Sequence, residues 1–141
     1  MRYSLINENC APKIGSEDAG GVDLRVNHDE AWIARPGAEY KVGLGIKLEV
    51  PKGWVALIFP RSGLGTKHGF TIKNTTGVID SDYRGEVFLT FSVKEPLPIE
   101  PFERLVQCVV VPHYDYSQLE QVDELTDTAR GAGGFGHSGK V

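Results

Sequence analysis

The stretch Leu44-Gly45-Ile46-Lys47-Leu48-Glu49-Val50 places apolar residues at every second position. Successive side chains of an extended chain point to opposite faces, so this pattern describes a strand that is buried on one side and wet on the other. The turn signal Pro51-Lys52-Gly53 follows, and then a continuous apolar run from Trp54 to Phe59. Further on, Val87, Leu89, Phe91 and Val93 alternate with Phe88, Thr90, Ser92 and Lys94, and Leu105 to Val111 is again rich in valine. The chain's 17 glycines and 8 prolines cut it into short pieces. Short strands with turn residues between them predict an all-β domain, a sandwich, jelly roll or barrel. Helical spacing shows only at Leu119, Val122 and Leu125, inside an uncapped segment, Ser117 to Leu125, equally compatible with strand and helix. There is no internal repeat.

The chain has 141 residues, 40% hydrophobic and 24% charged, the balance of one globular domain. No apolar run approaches the ~20 residues of a membrane helix, and the segment Met1 to Ile6 lacks the long apolar core of a signal peptide. The expected location is the cytoplasm, or the host-cell cytoplasm for a viral protein, with no membrane partner. A net charge of −4 argues against a nucleic-acid backbone as partner, but not against a nucleotide. Cys10 and Cys108 form no CxxC pair and read as reduced thiols. His28, His68, His113 and His137 have no zinc-site spacing.

Four local sequences can carry chemistry. Pro60-Arg61-Ser62-Gly63-Leu64-Gly65 follows an apolar strand and offers a cation, a hydroxyl and free amides together, as phosphate binding requires. Gly77-Val78-Ile79-Asp80-Ser81-Asp82-Tyr83-Arg84-Gly85-Glu86 reads as a hairpin around a polar turn. In an extended strand Asp80 and Asp82 would share a face, and an exposed aspartate is ionised at neutral pH and able to orient or deprotonate a water. A solvated acidic turn would look the same. Ala19-Gly20-Gly21-Val22-Asp23-Leu24 opens a short strand with one carboxylate at its start, suited either to a turn or to holding a divalent ion through water. Arg130 to Val141 is glycine-rich and nearly devoid of core-forming side chains, so it cannot bury enough to offset its own ordering entropy. It is either a frayed tail or an arm that orders on a ligand. Its glycines let amides approach phosphates, and Phe135 is free to stack on a base. It lacks the GxxxxGK[ST] spacing and the following helix of a Walker site.

Taken in this order, with Glu103-Arg104-Leu105-Val106-Gln107 as a further motif, these segments resemble the trimeric dUTPase family. All five family motifs are present, and the similarity runs from about Ala11 to Gly139. The first motif is the looser match, with Val26 where alanine is common. The resemblance implies a distorted β jelly roll that forms a homotrimer, residues 1–129 making the β-domain and 130–141 a flexible arm over the active site. The first, second and fourth motifs would come from one chain, the hairpin from a second and the arm from the third.

The implied reaction is dUTP plus water giving dUMP and pyrophosphate, which limits uracil in DNA and supplies dUMP for thymidylate synthesis. Asp80 matches the residue that activates the water attacking the α-phosphorus. Asp23 matches the aspartate that holds Mg2+ through water. Arg61, Ser62 and Gly63 would contact phosphates with Gln107 nearby. Arg130, the amides of Gly133, Gly134 and Gly136, and Ser138 would close over the β and γ groups, with Phe135 on the uracil face. Asn74 and the main chain of Gly77, Val78, Ile79 and Phe88 would pair with the uracil edge. Tyr83 would pack under the deoxyribose and exclude a 2′-hydroxyl. Two alternatives stand beside this: a dCTP deaminase-like enzyme, which shares the fold, and a non-catalytic trimeric nucleotide-binding or regulatory protein. The sequence leaves an additional regulatory partner open.

Overall fold

The structure is a computed structural model that describes residues 1–133. Eleven strands and one short helix follow in chain order. They are β1 (Arg2–Leu5), β2 (Lys13–Ile14), β3 (Val22–Arg25), β4 (Trp32–Ala34), β5 (Tyr40–Glu49), β6 (Trp54–Pro60), α1 (Ser62–His68), β7 (Thr71–Ile72), β8 (Gly77–Ile79), β9 (Glu86–Ser92), β10 (Leu97–Ile99) and β11 (Arg104–Pro112). One sheet has the order β1-β5-β9-β7, a second β2-β3-β11-β6-β8, and β10 pairs with β4. All the pairings are antiparallel. This is the all-β, distorted jelly roll expected.

The period-two patterns set which face is inside. Leu44, Ile46, Leu48 and Val50 are buried, as are Val87, Leu89, Phe91 and Val93, and these meet Ala56, Ile58, Val106 and Cys108 from the other large sheet in one core. Phe91 stacks between Phe70 and Tyr40, with ring centroids 4.6 and 5.4 Å away. Each such side chain contributes roughly 1.5–3 kcal/mol by leaving water. Both cysteines are free and buried. Burial pushes the Cys108 thiol up to about 11 and raises that of Cys10 for the same reason.

Two local expectations change, and one element carries no sequence signal. The segment after Pro60 is a helix, α1. It has no buried residue and contains two glycines, so neither periodicity nor propensity marks it; Gly69 closes it in the left-handed conformation. Ser117 to Leu125 is neither strand nor α-helix. A single 3-10 turn at Tyr116–Gln118 is capped by Asp115, whose Oδ1 accepts from the Ser117 amide at 3.1 Å. Finally, Gly77 to Glu86 is not a paired hairpin. β8 pairs with β6 and β9 with β5 and β7, so the intervening loop crosses from one sheet to the other. Asp80 and Asp82 therefore lie in a turn, where the Tyr83 amide donates to Asp80 O at 3.2 Å, and the shared-face argument for an extended strand does not apply.

Candidate active site

The register of the five-stranded sheet puts Asp23 (β3), Gln107 (β11) and Phe59 (β6) in one row. Their neighbours Leu24, Val106 and Ile58 point into the core, so this row faces outward. Asp23 Oδ2 lies 3.2 Å from Arg61 Nε and 3.1 Å from Arg104 Nη1. Arg61 is fixed by two further bonds: its amide donates to Leu105 O at 3.2 Å and its Nη1 to Arg104 O at 3.1 Å. Gln107 Nε2 donates to Pro60 O at 3.2 Å. The first, second and fourth sequence motifs thus converge on one end of one sheet.

Ser62 and Gly63 continue from this cluster into the first turn of α1. Their amides find no acceptor among the described residues, as the first amides of a helix must not without a cap. With Arg61 and Lys67 they line a depression of 330 Å³. It therefore combines cationic side chains, a hydroxyl and free amides, the donor set that an oxyanion needs.

A second depression, of 230 Å³, is bounded by Val78, Ile79, Asp80, Tyr83, Glu86, Val87 and Phe88. β8 is an edge strand, paired only with β6. β9 is paired with β5 on one side except at the register break beside Val87, and on its other side only from Thr90 onward, through β7 and Lys73. Between β8 and the first half of β9 there is thus a slot with unladdered main chain on both walls. Val78 and Phe88, 59% and 54% exposed, stand beside it. Asp80 is exposed at its rim. The Tyr83 hydroxyl donates to Glu86 O at 2.8 Å, which lays the ring over Gly85, where a Cβ would overlap it.

Not every expected residue joins these groups. Asn74 is exposed in the turn before β8 and does not line the slot, and Gly77 packs its backbone against Ile58. Arg130 and Gly133 form a local turn, with Arg130 Nε donating to Gly133 O at 2.9 Å. Gly134, Phe135, Gly136 and Ser138 lie outside the described residues. Two residues given no role from sequence stand out. Arg104 shares Asp23 with Arg61 although strand parity alone would put it opposite Gln107; a bulge between Arg104 and Val106 resets the parity. Glu86 places its carboxylate against β5, accepting from the Gly45 amide at 2.9 Å.

Among the described residues no group of three or more His, Cys, Asp or Glu could cage a metal. The arrangement fits a metal of another kind. Both arginines approach Oδ2 of Asp23, and Oδ1 accepts no hydrogen bond from the described residues. One half-buried carboxylate suits an ion such as Mg2+ that keeps its waters and takes other ligands from a polyphosphate.

Comparison with known proteins now decides the family. The dUTPase family model matches residues 7–139. The chain belongs to the dUTPase family. It is 46% identical over 147 residues to the deoxyuridine 5'-triphosphate nucleotidohydrolase of Escherichia phage T5, covering 99% of this chain and 98% of that protein. Among solved structures, dUTPase from Streptococcus mutans is 32% identical, with a TM-score of 0.68 and coverage of 79% of this chain and 95% of that one. The fold is also that of Staphylococcus bacteriophage 80alpha dUTPase with dUPNHPP, with a TM-score of 0.81, 24% identity and coverage of 98% and 97%. No helix among the described residues is long and apolar enough to cross a membrane.

Proposed function

We propose that this dUTPase-family chain hydrolyses dUTP to dUMP and pyrophosphate, as a homotrimer acting in the cytoplasm, or in the host cytoplasm if it is viral. The observation that carries the reading is the slot between β8 and β9. Its walls are main chain without ladder partners, and Asp80 stands at its rim. A uracil edge would complete those walls much as another base or strand would. Cytosine presents the opposite donor and acceptor pattern, and mismatched buried polar groups reject an analogue by ~10⁴–10⁵. A thymine methyl would be excluded sterically, and Tyr83 under the deoxyribose leaves no room for a 2′-hydroxyl. Asn74 and Gly77 would approach the base from the N-terminal side of β8.

Asp80, exposed at the rim, would take a proton from the water that attacks the α-phosphorus, a role worth ~10²–10⁴ in rate. Arg61, Ser62 and Gly63, with Gln107 behind them, would hold the phosphates in line and take up developing charge. Mg2+, when bound with Asp23 holding it through water, would neutralise phosphate charge and favour the reactive geometry. Arg130 and Gly133, with Gly134, Phe135, Gly136 and Ser138 of the 130–141 arm, would cover the β and γ groups and the uracil face.

Two features support a homotrimer. On the outer face of the five-stranded sheet, Val55, Leu57, Val109 and Val111 form a half-exposed apolar stripe continued by Val78. The segment after β11 carries Tyr114, Tyr116, Leu119 and Leu125 in the open, the last two 76% and 87% exposed. Contiguous apolar surface of this kind marks an interface. In a single chain the two depressions are separate, so neighbouring copies would have to bring phosphate-binding and base-binding walls together.

Pyrophosphate release from dUTP, dCTP, dTTP and UTP tests the reading. We expect turnover of dUTP alone. Ammonium from dCTP would point to the deaminase, and silence with all four nucleotides to a binding or regulatory protein.

A further inference from the structure

The loop that carries Asp80 is stiff within itself. The Tyr83 amide bonds to Asp80 O, Arg84 Nη1 donates to Ser81 O at 2.7 Å and to Tyr83 O at 2.9 Å, and the Tyr83 hydroxyl donates to Glu86 O. Such a unit is only as well placed as its two ends. Its N-terminal end is held by the β8–β6 ladder. Its C-terminal end enters β9 where the β5–β9 ladder is broken. The register runs from Gly43 opposite Phe88 to Lys47 opposite Glu86, so Leu44, Gly45 and Ile46 face Val87 alone. Main-chain rungs are missing at the point where the loop joins the sheet.

The Glu86 carboxylate fills that gap. Its Oε1 accepts from the Gly45 amide at 2.9 Å. The notch is shaped for it: a Cβ on Gly43 would overlap Oε1, and Gly45 adopts φ +63° with no room for a side chain beside Cys10 Sγ, 2.6 Å from where a Cβ would stand. Gly45 is anchored on its other side as well, where its carbonyl accepts from the amides of Ile6 at 2.8 Å and Asn7 at 3.3 Å.

We propose that Glu86 is a positioning residue: its side chain replaces the missing rungs of the β5 bulge and so fixes where the Asp80 turn and the Tyr83 ring stand relative to the slot. The inference rests on the reading of Asp80 and Tyr83 given above. Displacing a reacting group by about 1 Å can cost ~10²-fold in rate, so the effect falls on the reaction more than on the fold.

The test compares wild type, Glu86→Ala, Glu86→Gln and Asp80→Asn in steady-state kinetics with dUTP and UTP, well below each melting temperature. For Glu86→Ala we expect kcat for dUTP to fall about ten- to hundredfold while KM changes little. Its preference for dUTP over UTP should narrow as Tyr83 loosens. Gln keeps an acceptor oxygen at the same reach and should recover most of both losses. A Glu86→Ala enzyme with wild-type kcat and selectivity would overturn the proposal, as would a Gln variant no better than Ala. If Glu86→Ala does not fold, Glu86→Asp, one methylene too short for the notch, carries the same comparison. Asp80→Asn separates the two ideas: if it turns over normally, the reading of Asp80 fails; if it is inactive while Glu86→Ala is normal, only the positioning role fails.

Discussion

Asp23 and Arg61, 38 positions apart in sequence, meet at 3.2 Å on the outer face of the five-stranded sheet, and Arg104 joins the same carboxylate oxygen at 3.1 Å. The carboxylate thereby gathers both cations at one oxygen, with Arg61 directly preceding α1. Asp23→Asn keeps the size of the side chain but removes its charge. We expect the variant to fold, to need more Mg2+ for half-maximal rate, and to bind triphosphate less well than wild type. A magnesium titration of initial rate checks this, and an unchanged titration would remove Asp23 from the metal's surroundings.

Asp80→Asn should lower kcat by ~10²–10⁴ while leaving nucleotide affinity close to wild type. Calorimetric binding of a non-hydrolysable dUTP analogue, run beside the pyrophosphate assay, separates the two quantities. Loss of binding together with rate would mean that Asp80 holds the substrate and does not activate water.

Tyr83→Ala removes the wall beneath the sugar and the bond to Glu86 O. The ratio of kcat/KM for dUTP over UTP should fall by tenfold or more, roughly 1.4 kcal/mol, with melting temperature little changed because the ring is exposed. Equal ratios in variant and wild type would place sugar discrimination elsewhere.

Truncation after Ala129 removes Arg130 and all that follows. The β-domain should retain its melting temperature, since among the described residues none of the buried core lies beyond Cys108, and turnover should collapse. Near-normal turnover would make residues 130–141 dispensable and refute their covering role.

Stability should fall at alkaline pH. An unfolded cysteine releases its proton near 9.0, whereas Cys108 in the fold holds it to about 11. Between those values the unfolded state binds fewer protons, so unfolding becomes easier as pH rises, by at most roughly 3 kcal/mol. The raised Cys10 thiol acts in the same direction. Urea midpoints from pH 8 to 11 measure the slope, and Cys108→Ala should flatten it even though the variant starts less stable.

Much of this molecule is legible from pattern. Period-two alternation located β5 and β9 and assigned their inner faces, because a half-buried sheet has no other way to place Leu44, Ile46 and Leu48. Asp23 and Arg61 are marked by local chemistry and Gln107 by the family resemblance, and pairing of β3, β11 and β6 assembles them. Long-range partnership was the part local pattern could not carry. The loop from Asp80 to Gly85 has the turn residues of a hairpin whether its flanking strands join each other or different sheets, and only the competing partners β6 and β5 decide. The roles of Arg104 and Glu86 were hidden for a related reason: each depends on a bulge, one at Leu105 and one at Leu44 to Ile46, and a bulge breaks the parity by which a strand is read.

The open edge of β8 is a hazard as well as an entrance. An edge strand with unsatisfied amides and carbonyls is a template on which any passing extended chain can assemble, the first step toward aggregation. This edge must stay uncovered if a base is to enter, so it cannot be protected by a helix or by another strand. It is three residues long and gives way at once to a turn with two aspartates and an arginine. That length offers too few rungs, and that charge too much repulsion, for a foreign strand to nucleate there, while one planar heterocycle still fits.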